Sequence, residues 1–251
     1  MSGYKKMARE RKVIVTGASQ GIGFAIAKNL LQNGFSVHII ARRKKRLEKA
    51  AAKLGSYGKV TYSTVNLTDR KEVYSFSKKW TGVIYGLVNN AGCWAEEKLS
   101  DPDSDIWDPI MELNLEGLYF LTKGMQKHIV TGGRIVNISS QLGTSGRSGM
   151  GAYAASKHAV IGLTRCWALE LSDRRITVNV VCPGWVNTAS NRKEIKGWTK
   201  GKKASLKEKM QEIAAPTTLR RFIEPEEVAN LVGFLAGSTG SGITGQIYEI
   251  K

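Results

Sequence analysis

With 251 residues, 42% of them hydrophobic and 24% charged, the chain is large enough and apolar enough to bury a sizeable core. It has no apolar run long enough to cross a bilayer. Three scattered cysteines (Cys93, Cys166, Cys182) and three histidines argue against a disulfide framework and a metal site, and for a reduced, cytoplasmic setting. The formal net charge of +17 points toward an anionic partner, whether nucleic acid, a membrane surface or a phosphorylated small molecule.

Residues 1–11 read as a basic tail without the apolar segment of a secretory signal. A β-branched run at 12–16 predicts a buried strand that ends in glycines. Apolar residues at helical spacing (Ile22, Ile26, Ala27, Leu30) predict a helix over 22–32, stopped by Asn33-Gly34. Further strands are expected at 36–41, 60–65, 83–88, 134–138, 176–181 and 246–250. Helices are expected at 42–54, 70–79 behind a Thr68-Asp69-Arg70 cap, 105–128, 151–171 and 224–236. Residues 93–103 read as loop and 185–221 as an insertion. Strands and helices alternate from end to end, without linker or repeat. That pattern predicts one doubly wound Rossmann-type α/β domain over 12–251, with a parallel sheet flanked by helices. Such sheets bind ligands at the C-terminal ends of their strands, where the loops gather.

Several of those loops carry chemistry. Thr16-Gly-Ala-Ser-Gln-Gly-Ile-Gly23 lies between a strand and a helix. Its glycines allow a tight turn, and the helix N-terminus offers amide donors to a pyrophosphate. The second strand ends at Ala41 and runs into Arg42-Arg43-Lys44-Lys45-Arg46. An acidic residue there would bind a ribose 2′-hydroxyl; arginine instead pairs with a 2′-phosphate, which favours NADP(H). Tyr153 and Lys157 stand four residues apart, on one face of the predicted helix. A phenol titrates near ~10, and a neighbouring cation favours its ionised form.

Taken in order, the glycine segment, Asn89-Asn90-Ala91-Gly92, Asn114, Ser140, Tyr153-x-x-x-Lys157 and Pro183-Gly184 resemble a classical short-chain dehydrogenase/reductase of the 3-oxoacyl reductase type. The resemblance extends over residues 12–250. It implies Tyr153 as general acid/base and Lys157 as the residue that holds the nicotinamide ribose and lowers the tyrosine pKa. It also implies Ser140, thirteen positions before the tyrosine, as the partner of the substrate carbonyl, with Ser139 the weaker candidate. Asn114 would hold the water of a proton relay, or act as a structural amide that distorts its helix. Gly17, Ser19, Gln20, Gly21, Ile22, Arg42 and Arg43 would face the cofactor phosphates. Asn66 and Leu67 would meet the adenine, and Asn90, Ala91 and Gly92 the ribose region. Pro183, Gly184, Val186 and Thr188 would meet the carboxamide end. The resemblance also implies a homotetramer packed through the long helices that begin near residues 105 and 151. Gln20 stands where many NADP-dependent members have a basic residue, and the ending Glu249-Ile250-Lys251 departs from the family's Asp-Gly-Gly.

The expected reaction is reversible hydride transfer between NADP(H) and a ketone or secondary alcohol. Residues 185–221 would form the substrate lid. Eight basic residues between Arg192 and Lys209 face only Glu194 and Glu208, which suits either an anionic 3-oxoacyl thioester or a solvated amphipathic helix pair. Trp94, Leu142, Trp185 and Trp198 are candidates for an apolar substrate wall. Arg147 is a candidate for a substrate anion or for a surface role. Two alternatives belong to other classes: an NAD-linked alcohol dehydrogenase of the same fold, and a non-catalytic nucleic-acid-binding protein using its basic surface. The chain has neither an RNA-recognition motif nor an aromatic platform to favour the latter.

Overall fold

The computed structural model describes residues 10–101, 105–201 and 205–251. Most of the basic tail lies outside them, as do Lys202 and Lys203 of the insertion. Seven strands form one parallel sheet: β1 (Lys12–Thr16), β2 (Ser36–Ala41), β3 (Val60–Thr64), β4 (Ile84–Asn89), β5 (Ile129–Ile138), β6 (Thr177–Pro183) and β7 (Ile247–Ile250). Their order across the sheet is β3-β2-β1-β4-β5-β6-β7. The order reverses between β1 and β4, and that crevice is where a doubly wound sheet binds ligands.

The helices are α1 (Gly21–Gln32), α2 (Lys44–Leu54), α3 (Arg70–Lys79), α4 (Trp107–Met111), α5 (Gly117–Met125), α6 (Gly151–Glu170), α7 (Ala189–Trp198), α8 (Leu206–Ala214) and α9 (Pro225–Ala236). Successive strand residues point to opposite faces, so β1 feeds two cores. Val13 and Val15 pack with Ile26, Leu30 and Val232 on the α1/α9 side. Ile14 packs with Leu121, Val160 and Leu87 on the α5/α6 side. A third, small cluster joins Ile195 of α7, Ala214 of α8 and Phe222, with Trp185 and Trp198 against it. The basic insertion is therefore a helix pair seated on its own apolar patch.

Local chemistry explains several boundaries. The Asp69 carboxylate caps α3 by accepting from Lys71 N at 2.9 Å and Glu72 N at 3.1 Å. Pro225 opens α9, where Glu224 and Glu227 form a capping box. The helix expected over 105–128 is broken by a π-helical turn at Glu112–Glu116. Its cause is long-range, because Asn114 reaches out of the turn to the loop after β4. The strand expected at 134–138 begins five residues earlier, at Ile129.

A buried amide network ties the core beneath the site. Asn89 Nδ2 donates to Asn137 Oδ1 at 2.9 Å and to Thr122 Oγ1 at 3.0 Å, and Asn137 Nδ2 donates to Thr164 Oγ1 at 2.9 Å. It links β4 and β5 to α5 and α6 through groups that would be costly to leave unpaired. No described helix is long and apolar enough to cross a membrane.

Candidate active site

Every candidate residue except Asn114, Lys157 and Trp198 lines one open cavity of about 760 Å³ at the C-terminal edge of the sheet. At one end the chain turns from β1 into α1. Gly17 has φ +67°, and a Cβ there would lie 2.9 Å from Ala91 Cα. A Cβ on Gly23 would lie 2.5 Å from Asn90 Nδ2. Asn90 itself is held by Thr16: its Nδ2 donates to Thr16 O at 2.9 Å, and its N–H and that of Ala91 donate to Thr16 Oγ1. The side chain of Asn90 is thus committed to joining the ends of β1 and β4. The glycine turn and the Asn-Asn-Ala-Gly segment are one interlocked wall.

This wall fits a dinucleotide. Gln20 precedes α1 without a side-chain cap hydrogen bond, and no acidic residue stands in the first turn. The first-turn amides and the positive end of the helix dipole are therefore available to an anion. Past β2, Arg42 and Arg43 line the cavity, and neither forms an ion pair with a carboxylate among the described residues. Arg46, beyond the two arginines expected to face the cofactor, joins them. One turn into α2, it donates from Nη1 to Gln20 Oε1 at 3.2 Å. It brings a guanidinium to the place where Gln20 had seemed to lack one.

The reacting groups sit where β5 and α6 approach each other. Ser140 caps a short 3₁₀ turn, its hydroxyl accepting from Leu142 N at 3.2 Å. The same hydroxyl faces the Tyr153 phenol and acts to lower its pKa. Ser139 points the other way and donates to the Lys157 carbonyl at 2.8 Å. Lys157 is only 4% exposed and lies behind the cavity wall. Its Nζ is 5.7 Å from the Tyr153 ring centroid and donates to Ile138 O at 3.1 Å. Burial pushes its pKa down to about 8, while the Cys93 and Cys182 thiols act upward.

Tyr153 departs from expectation in direction. Burial holds the phenol above its ordinary pKa, and the Ser140 hydroxyl only partly opposes that. Desolvation of the phenolate is the larger effect. Burial also raises Cys93, which lines the cavity, and carries Cys182 to about 11.

Asn114 is 1% exposed, and its amide makes three hydrogen bonds. Oδ1 accepts from Cys93 N at 2.8 Å, and Nδ2 donates to Cys93 O at 2.9 Å and Ser156 Oγ at 3.1 Å. Ser156 in turn donates to Tyr153 O at 2.7 Å. Asn114 therefore pins Gly92-Cys93 beside Lys157 and reaches the backbone of the tyrosine. Ser156 had no signal in the sequence, since a serine inside a helix is ordinary.

At the far end stand Trp94, Leu142, Met150 and Trp185. Trp198 backs them without lining the cavity. Arg147 lines it too, but its guanidinium pairs with Glu96 and lies 5.4 Å over the Trp185 ring.

A glycine cradle at the sheet's switch point, beside a Ser-Tyr-Lys set, defines a nucleotide-binding oxidoreductase. Residues 11–198 match the family model for short chain dehydrogenases, and the chain belongs to that family. It is 36% identical to the 3-oxoacyl-acyl-carrier-protein reductase FabG of Thermotoga maritima, over 97% of this chain and 98% of the relative. Among solved structures it is similar to a variant of actinorhodin polyketide ketoreductase with NADPH, with a TM-score of 0.89 and 32% identity over 96% and 95% of the two chains. L-Sorbose reductase from Gluconobacter frateurii, complexed with NADPH and L-sorbose, gives a TM-score of 0.91 at 26% identity over the same shares.

Proposed function

We propose that this short chain dehydrogenase moves a hydride between NADP(H) and a ketone or secondary alcohol in the cavity described, with Tyr153 as general acid/base. The observation that carries the reading is one continuous cavity with Ser140 and Tyr153 on its wall and the glycine turn and three arginines at its other end. When bound, the nicotinamide supplies or accepts the hydride.

The protein's own residues do the rest. In the reductive direction Tyr153, with its pKa raised, is protonated at neutral pH and donates to the carbonyl oxygen. Ser140 donates a hydrogen bond to that oxygen as charge develops. The Lys157 cation, close behind, offsets the phenolate left by proton transfer. Asn114 positions Gly92 and Cys93 and, as the family resemblance implies, holds the relay water that returns the proton.

Gly17, Ser19, Gln20, Gly21 and Ile22 take the pyrophosphate, and Arg42, Arg43 and Arg46 the 2′-phosphate. Asn66 and Leu67 take the adenine, Asn90, Ala91 and Gly92 the ribose region, and Pro183, Gly184, Val186 and Thr188 the carboxamide. The arginines favour NADP(H) over NAD(H), and the NADPH held by two similar solved structures supports that choice. Residues 185–221 serve as the lid. An acyl thioester is a second reading of the substrate, favoured by the basic helix pair and by the name of the FabG relative. We also infer a cytoplasmic homotetramer; Leu169 on α6 and Trp107 on α4, 78% and 50% exposed, supply apolar surface for it, and a monomer by light scattering would overturn it.

The test is Tyr153→Phe, which removes the proton and keeps the ring. Ketone reduction should fall by at least ~10²-fold, with NADPH still bound as tightly as by the wild type. Turnover near the wild-type rate would sink the assignment.

A further inference from the structure

One end of the cavity takes no part in the proton chemistry. Trp94, from the loop after β4, Trp185, from the turn after β6, and Trp198, at the end of α7, meet edge to face. Their centroids are 6.0 to 6.2 Å apart. Three indoles from three separate segments meet here in the geometry that ring quadrupoles favour. All three are half-buried, and Trp94 and Trp185 face the cavity beside Leu142 and Met150. The cluster is anchored from below, where Trp185 lies 5.8 Å from Phe222.

Charge at this end cancels. Arg147 pairs with Glu96 and lies 5.4 Å over the Trp185 ring. The two loops that carry this pair are also tied through their backbones, Glu97 N donating to Gly149 O at 2.9 Å. Arg147 thus ties the cavity rim together, with its charge already met by Glu96. The lid contributes Lys193 and Glu194 to the lining, neighbours of opposite sign. Of the lid's described cations, Lys193 alone reaches the wall. The excess positive charge of α7 and α8 therefore lies outside the space where the reacting group must sit.

Building on the reductase reading above, we propose that the substrate is an uncharged ketone with an aromatic ring next to the carbonyl, the ring seated against Trp94 and Trp185 and the oxygen at Ser140 and Tyr153. Aromatic contacts add to plain area burial, and a neutral substituent leaves the Arg147–Glu96 pair intact. A carboxylate would have to break that pair or sit unpaired against indoles.

The experiment compares acetophenone, an alkyl ketone of equal carbon number and a 3-oxo carboxylate of similar size with NADPH as reductant. The expected kcat/KM for the aryl ketone exceeds each of the others by about tenfold or more. In parallel, calorimetry on the NADP⁺-loaded protein measures acetophenone binding without turnover. Trp94→Leu should weaken that binding about tenfold. Trp94→Phe should recover most of it, and NADP⁺ affinity serves as the check that both variants fold. Preference for the carboxylate or the alkyl ketone, or unchanged acetophenone affinity in Trp94→Leu, would overturn the proposal. If none of the three were reduced, the reductase reading would fall, and the calorimetry would still decide what the aromatic end binds.

Discussion

The Ser139 hydroxyl donates to the main-chain carbonyl of Lys157, so the two adjacent serines at the end of β5 have separate work. Ser139 fastens β5 to α6 in a space so close that a Cβ on Gly143 would lie 2.4 Å from its oxygen. Ser140 is left to face Tyr153 and the cavity. Ser140→Ala should therefore lower kcat by about 10²–10³-fold and leave the melting temperature nearly unchanged. Ser139→Ala removes one buried hydrogen bond to a carbonyl that keeps its helical partner, at a cost of about 0.5–1.5 kcal/mol, and should lower the melting temperature by a few degrees with most of the turnover kept. Thermal denaturation and steady-state rates on the two variants check this. The opposite pattern would exchange the roles.

Cofactor choice follows from the hydrogen bond between Arg46 and Gln20. Both line the cavity, and the pair fixes a guanidinium beside the glycine turn. A hydrogen bond to a charged group contributes about 1.5–3 kcal/mol. Arg46→Ala should thus weaken NADPH about tenfold or more and leave NADH affinity almost unaltered, because NADH lacks the 2′-phosphate. Titration of both nucleotides by fluorescence gives the answer. Equal losses for the two would make Arg46 a support for the turn and not a reader of the phosphate.

The parallel sheet was legible because each β-branched run is followed by a helical period; the choice of Ser140 over Ser139 came from the family resemblance, not from the residues alone. What escaped depends on contacts between distant segments. Nothing in Glu112-Leu-Asn-Leu-Glu116 announces a π turn; it follows from Asn114 reaching Cys93, twenty-one residues away. Arg46 had no role assigned from the sequence; its place in the first turn of α2, which begins at Lys44, brings it to Gln20. The expected lowering of the Tyr153 pKa considered the lysine alone. Burial of the phenol depends on the whole fold and has the opposite sign. The role of Arg147 stayed open between a substrate anion and the surface because Glu96, its partner, lies on another loop.

Acid stability has a specific source in His38. The residue is 6% exposed in β2, between Phe76 at 6.1 Å and the Trp80 edge at 4.8 Å. Its ring nitrogens meet Thr61 Oγ1 at 2.7 Å and Ser63 Oγ at 3.0 Å. Those hydroxyls satisfy a neutral ring in either tautomer and offer no anion to a charged one. Burial first, and the nearby Lys12 second, push the pKa from 6.5 to about 4. Between those two values the unfolded chain binds a proton that the native state refuses. The histidine's contribution is therefore complete above pH 6.5 and is lost as pH falls toward 4, with a slope of up to about 1.4 kcal/mol per pH unit. Denaturant unfolding at a series of pH values should show this slope in the wild type, superposed on the titration of carboxylates such as Glu227, held low at about 2 by Arg221. His38→Gln removes the titrating group from the strand. Its stability should start lower at pH 7 and decline less steeply through this window; profiles that run parallel for the two proteins would place the acid sensitivity elsewhere.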